Sequence, residues 1–435
     1  MAERFHLGWF MNFTPDEWND PFASGGNPWN GEFYIDMALA LERACFDYIM
    51  VEDTLMVSSA YGGAMNIYLK HAMMAPKHDP SPLAAIMAQA TSKLGVVATM
   101  STSFYPPFML ARLAATLDHI ANGRFGWNIV TSGEDASAQN FGMDKLTAHD
   151  LRYDIADEYV EVCRQLWDSW EEGAVVLDRE TGTYADASKV HTIDFEGRFF
   201  KVRGPLNTVR SPQGRPAFVQ AGGSPRGREF ASRTADSIIA AANGIEGMKA
   251  YRDDVRARAE RNGRKPDDIK VLFLVSPVLG ETDEEARAKQ ARMSTSEYFI
   301  AQTLAGISSV TDIDFSQFDL DQPLPEGLTT NGEQGSLDKF AQWGTGKTLR
   351  QLVVDAGGVA DSVELVGTPD TVAGQMGEVM EAVGGDGFLI CSPGMRNSRR
   401  YITEIADGLV PALQRRGLTR TEYAFEHLRD TLTEF

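Results

Sequence analysis

The sequence predicts an α/β protein, a TIM (β/α)8 barrel carrying several insertion segments. Three observations carry that reading. Apolar runs of strand length recur along the chain, amphipathic helical segments separate them almost throughout, and the runs number eight, the count that closes a parallel barrel. A doubly wound sheet shares the first two features and remains an alternative. No GxGxxG follows the first strand, which weakens its dinucleotide-binding form.

In chain order the runs are FHLGWFM (5–11), DYIMVED (47–53), LGVVATMST (94–102), FGWNIVTS (125–132), AFVQAGG (217–223), SIIAAAN (237–243), IKVLFLVSPVL (269–279) and GFLICSP (387–393). The clearest helix covers Asp150 to Glu171, where Ile155, Tyr159, Cys163, Leu166 and Trp170 recur at helical spacing. Another helix follows the fifth run. Gly222 and Gly223 permit a tight turn there, Ser224 can cap the helix and Pro225 suits its first position.

Three stretches exceed a minimal strand–helix alternation. They predict insertions near 54–80, 172–216 and 300–347 within a single domain covering 1–435. The first follows the second strand and holds Met65, Met73 and Met74, which suits an adaptable pocket wall or surplus core. The second contains a hairpin signal, HTIDFEGRFFKVRGPL, with Glu196-Gly197 as its turn. The third is polar and glycine-rich and reads as a lid or an irregular segment.

Composition narrows the function. A 435-residue chain that is 43% hydrophobic can bury a large core. Its net charge of −20 opposes a nucleic-acid surface, which needs a basic stripe. Cys45, Cys163 and Cys391 lie far apart, form no CxxC pair and suit a reducing compartment. The opening MAERFHLGWFMNF has no apolar stretch of signal-peptide length, and no run approaches a membrane span. The expectation is a cytoplasmic protein without nucleic-acid or membrane partners.

The chemistry is bounded first by elimination. The seven histidines form no HxxxH or HExxH, and DIDFSQFDLD lacks the glycine and terminal glutamate of a calcium loop, so no metal site is expected. There is no GxSxG, and no cysteine has a recognisable partner in sequence. An organic cofactor then becomes the natural carrier of chemistry. Polar residues at predicted strand ends are its candidate contacts: Asp53 on the second, Thr99 and Ser101–Ser103 on the third, Asn128 on the fourth. Any one of them reads equally well as a cap. On one barrel face, together, they point to a site. His149 and Tyr153 stand four apart, on one side of a helix start. Gly223 and Ser224 read both as a turn and as a phosphate cradle, with Arg226 and Arg228 just behind. Trp9, Phe10 and Phe104 are aromatic wall or core.

Five stretches in register, GRFGWNIVTS, HDLRYDIADEYVEV, FEGRFFKVRGPLN, RSPQGRPAFVQAGGSPRGREFA and VPALQRRGLTRTEYAFEHLRDTL, resemble flavin-dependent monooxygenases of the bacterial luciferase superfamily. The similarity is to the branch with nitrilotriacetate monooxygenase, pristinamycin synthase and dibenzothiophene sulfone monooxygenase. It covers nearly the whole chain. The resemblance implies a two-component enzyme. Reduced FMN, supplied by a separate NAD(P)H:FMN reductase, and O2 would oxygenate a small organic substrate, often beside sulfur or nitrogen with cleavage of that C–S or C–N bond. It implies Asp53, Thr99, Asn128, His149, Tyr153, Gly223 and Ser224 as cofactor contacts, His149 as the candidate catalytic residue, and a homodimer or homotetramer. A deazaflavin-dependent oxidoreductase of the same fold and a non-catalytic flavin-binding protein are the alternatives.

Overall fold

A computed structural model describes residues 3–11, 29–294, 297–342, 346–355, 361–393 and 397–435. Part of the MAERFHLGWFMNF stretch and residues 343–345 of the third insertion lie outside the described residues.

Eight parallel strands close a barrel: β1 (His6–Met11), β2 (Tyr48–Val51), β3 (Gly95–Ser101), β4 (Phe125–Val130), β5 (Ala217–Ala221), β6 (Ser237–Ala240), β7 (Lys270–Val275) and β8 (Gly387–Cys391). Each pairs with its sequence neighbours, and β8 returns to β1 with His6 opposite Gly387. This rules out the doubly wound sheet. The seventh predicted run breaks at Pro277: Val278–Leu279 leaves the barrel and pairs with Val366–Gly367. Proline has no amide hydrogen for the ladder, so the strand stops before it.

Helices α1 (Glu32–Arg43), α2 (Pro80–Ala90), α3 (Pro107–Ile120), α4 (His149–Asp168), α5 (Pro225–Thr234) and α6 (Gly244–Arg261) follow the first six strands. Their apolar positions recur at helical spacing, as in Phe33, Met37, Ala38 and Leu41 of α1, and cover the outer face of the sheet. On α4 the buried stripe is Tyr153, Ala156, Tyr159, Val160, Cys163, Leu166 and Trp167. Trp170 lies just past the helix and Ile155 is half-buried.

Inside the barrel, side chains alternate with the strand period of two. Tyr48 and Met50, Val97, Ala217 and Val219, Leu272 and Leu389 form one apolar plug. The C-terminal segment seals its lower end. Leu428 and Leu432 join that cluster, and Leu428 sits where a Cβ on Gly95 would come within 2.5 Å of it. Beside it Asp47 accepts from His6 Nδ1 at 2.7 Å and pairs with Arg420 at 2.9 Å.

The insertions have their own structure. The second carries two small hairpins, Val175–Asp178 with Thr183–Ala185 and Phe195–Glu196 with Lys201–Val202. Glu196 is paired with Lys201, so the turn runs over 197–200 rather than through Glu196-Gly197, closed by Gly197 N–H donating to the Phe200 carbonyl at 2.9 Å. The third is part helical and part irregular: helices stand at either side of 312–333, which is irregular apart from a short turn at Phe315–Gln317. After α7 (Asp283–Ser294) come α8 (Glu297–Thr311), α9 (Gln334–Gln342) and α10 (Leu349–Asp355). Ile300, Leu304 and Ile307 of α8 bury against Leu337, Phe340, Leu349 and Leu352, a separate apolar cluster that outweighs the local polarity. Helix α11 (Pro369–Val383) then leads back to β8. Among the described residues no helix is long and apolar enough to cross a membrane.

Candidate active site

The inward alternation changes character toward the C-terminal ends of the strands. Met50 is followed by Glu52, Val97 by Thr99 and Ser101, Leu274 by Ser276, and Leu389 by Cys391. Above the apolar plug this makes a partly polar cavity of about 890 Å³, roofed by the third insertion. Asp53, Thr99, Asn128, His149, Tyr153, Gly223 and Ser224 all line it. Residues drawn from the first and third insertions and from all eight strands are thus brought to one place.

Thr99 and Asn128 face each other across β3 and β4. Asn128 Nδ2 donates to Thr99 Oγ1 at 2.8 Å, while Asn128 Oδ1 is buried without a partner. Gln220, at the end of β5, has a buried Oε1 in the same condition. Unpartnered buried acceptors are uncommon in a folded protein and call for a donor.

The Gly222-Gly223-Ser224 turn opens α5 as its residue types require. Ser224 is the cap: Gly227 N–H donates to Ser224 Oγ at 3.0 Å, and Pro225 takes the first helical position. Tyr251 Oη donates to the Gly222 carbonyl at 2.5 Å and Arg228 Nε to that of Gly223 at 3.1 Å, holding the turn. A Cβ on Gly223 would meet the Gly335 backbone of α9 at 3.2 Å, so any larger residue would press on this close packing. Arg226 and Arg228 do not face the turn as anion ligands. Arg226 is engaged by Asp154 and Asp157, and Arg228 by Asp254.

His149 and Tyr153 do share a face of α4, their rings edge-on with centroids 5.2 Å apart. Asn331 of the third insertion accepts from His149 N–H at 3.0 Å, and Asp150 Oδ1 lies 2.8 Å from His149 Nδ1. Burial pushes the Tyr153 phenol up from its ordinary pKa.

Of Trp9, Phe10 and Phe104, only Phe10 lines the cavity. Trp9 points outward into the core against Phe46 and Tyr401, and Phe104 stacks on Phe141. Met73 and Met74 form wall as the pocket reading expects, whereas Met65 is exposed.

Several lining residues escape the motif reading. Glu52 is buried and receives Lys77 Nζ at 2.9 and 3.1 Å; burial pushes its carboxyl up to about 8, with Lys77 opposing. Asp53 rises to about 6 for the same reasons. Glu134 rises to about 7, first through burial and then through the neighbouring Glu333. The signal for Glu52 was the period of two in DYIMVED, which puts Tyr48, Met50 and Glu52 on one face. Lys339 and Glu333 come from the insertion and had no such signal.

The chain matches the family model described as luciferase-like monooxygenase over residues 7–387. It is 36% identical over 410 residues to dibenzothiophene-sulfone monooxygenase of Rhodococcus erythropolis, covering 93% of this chain and 90% of that protein. It is 37% identical over 429 residues to nitrilotriacetate monooxygenase component A of Aminobacter aminovorans, covering 95% and 92%. The crystal structure of a long-chain alkane monooxygenase superposes with a TM-score of 0.86 at 31% identity, covering 99% of this chain and 96% of that one.

Proposed function

The chain belongs to the luciferase-like monooxygenase family, and from that premise we propose that it is the oxygenating component of a two-component system using reduced FMN from a separate reductase. One observation carries the cofactor reading. Two buried oxygen acceptors without partners, Asn128 Oδ1 and Gln220 Oε1, line the same cavity as a glycine-rich helix start. A reduced isoalloxazine carries ring N–H donors and FMN ends in a phosphate, so the residues fit both ends of that molecule.

In this reading Gly223 and Ser224 hold the phosphate, and Asp53, Thr99, Asn128, His149 and Tyr153 surround the remainder. When bound, reduced flavin supplies the activation of O2 for insertion into the substrate. The protein's own residues bind, orient and exclude water. Tyr153 and the Asn128–Thr99 pair fix position from rigid elements, and the third insertion covers the mouth. Asp150 steadies the His149 ring through Nδ1, which leaves His149 as the side chain suited to exchanging a proton at the reacting centre.

The deazaflavin and non-catalytic alternatives lose ground because the relatives above 35% identity are named monooxygenases. The same proposal includes one domain over 1–435, a homodimer or homotetramer, and a cytoplasmic location. Three buried free cysteines support the reducing compartment.

The test is electron supply. With NADH, FMN and substrate the purified chain should be inert; an unrelated NADH:FMN reductase, or photoreduced FMN followed by O2, should give product. Rapid NADH oxidation by this chain alone would overturn the two-component reading.

A further inference from the structure

The cavity divides along the barrel. The flavin candidates Thr99, Asn128, Tyr153, Gly223 and Ser224 stand on or just beyond β3, β4 and β5. In the closed strand order the opposite half of the mouth belongs to β7, β8 and β1. That half is walled by Phe10, Val278, Val363 and Leu365, and Phe299 of α8 and Val354 of α10 also line the cavity.

Carboxylates outnumber cations among the described residues lining the cavity. Lys339 and Asp361 both line it and offset one another: Lys339 Nζ donates to the Asp361 carbonyl at 3.0 Å, and the Asp361 carboxyl receives Ser276 Oγ at 2.8 Å. Glu364 at the exposed rim adds a further carboxylate. Toward the flavin side stand Glu52, Asp53, Glu134 and Glu333; Arg152 donates from its two Nη atoms to the Thr147 and Asn331 carbonyls, and its Nε is buried without a partner. A phosphate at Gly223-Ser224 would add negative charge. A second polyanion would therefore enter a desolvated space in which carboxylates already outnumber cations, and burying such a charge is costly. An apolar molecule loses little there and gains the burial of its surface.

Resting on the flavin reading above, we propose that the β7–β8–β1 half of the cavity takes an uncharged, largely apolar substrate and discriminates against polycarboxylates. Val278, Val363 and Phe299 supply contact area, and Asp361 and Glu364 offset Lys339, leaving no excess positive charge there to recruit an anion.

The experiment is a binding panel on the FMN-loaded full chain by isothermal titration calorimetry. Neutral probes are octane, diethyl sulfide and dibenzothiophene sulfone; anionic probes are nitrilotriacetate and ethylenediaminetetraacetate. At least one neutral probe should bind tenfold or more tightly than either anion, and Val363→Thr should weaken it threefold or more without changing FMN affinity. Tighter or equal binding of an anion, or binding of no neutral probe, overturns the proposal. Titration of the flavin-free chain separates the two readings: neutral binding there with no FMN binding refutes only the flavin site.

Discussion

Asn128 and Thr99 form a single hydrogen bond across neighbouring strands, 2.8 Å from Nδ2 to Oγ1, and it aims the Asn128 carbonyl oxygen at nothing in the protein. A buried acceptor left open costs stability, so its persistence marks a place where a ligand donor belongs. Asn128→Leu should hold or raise the melting temperature of the apoprotein and weaken FMN binding at least tenfold. Flavin fluorescence titration reads the affinity and circular dichroism the melting. Unchanged affinity in the folded variant would remove Asn128 from the site.

Ser224 caps α5 through Gly227 N–H at 3.0 Å. Aspartate caps a helix as well as serine does, so Ser224→Asp should fold normally. Its charge would oppose a phosphate, and FMN affinity should fall tenfold or more, about 1.4 kcal/mol or greater. Ser224→Asn is the control and should lose much less. Equal FMN affinity in all three proteins would return the motif to a plain turn.

Tyr153 and His149 are expected to act on the flavin rather than on the fold. Tyr153→Phe keeps the ring contacts with His149 and Phe230, and His149→Ala removes a ring that is 21% exposed. Melting of the apoprotein should shift little, while flavin affinity or the yield of product per NADH falls. A variant that melts early yet binds flavin normally once folded would show a structural role instead.

Glu134 gives the fold a pH signature. Burial and Glu333 lift its carboxyl from 4.5 to about 7. Between those values the folded chain holds a proton that the unfolded chain has lost, so this group's contribution falls as pH rises through the window. Glu134→Gln should leave the melting temperature nearly unchanged near pH 5 and raise it near pH 8. A shift of equal size at both pH values would contradict the assignment.

At the far end of the barrel, Leu428 fills the space above Gly95 and Gly126. Leu428→Ala should destabilise by about 2–5 kcal/mol in urea unfolding. It should leave FMN affinity within twofold under conditions where the protein is folded, because the plug of Tyr48, Val97 and Leu272 separates it from the cavity. Loss of affinity without loss of stability would show that the two ends are coupled.

Much of this protein is legible in its sequence because local rules and the final packing agree. Eight strand-length runs separated by amphipathic segments specify a parallel barrel, since strands covered by helices read as continuous apolar stretches. Gly223-Ser224-Pro225 states its own turn, cap and helix start. His149 and Tyr153 share a face by spacing alone. What only the tertiary structure decided depends on partners distant in the chain. The open acceptors of Asn128 and Gln220, the commitment of Arg226 and Arg228 to Asp154, Asp157 and Asp254, and the balance of Lys339 against Asp361 are each a relation between separated segments. The third insertion shows the reason most plainly. Its polar, glycine-rich sequence predicts irregular backbone, which 312–333 keeps, yet Ile300, Leu304 and Ile307 find Leu337, Phe340 and Leu352 and fold its flanks into helices. Local composition encodes propensity, whereas burial against remote apolar surface supplies most of the free energy that holds a short helix in water.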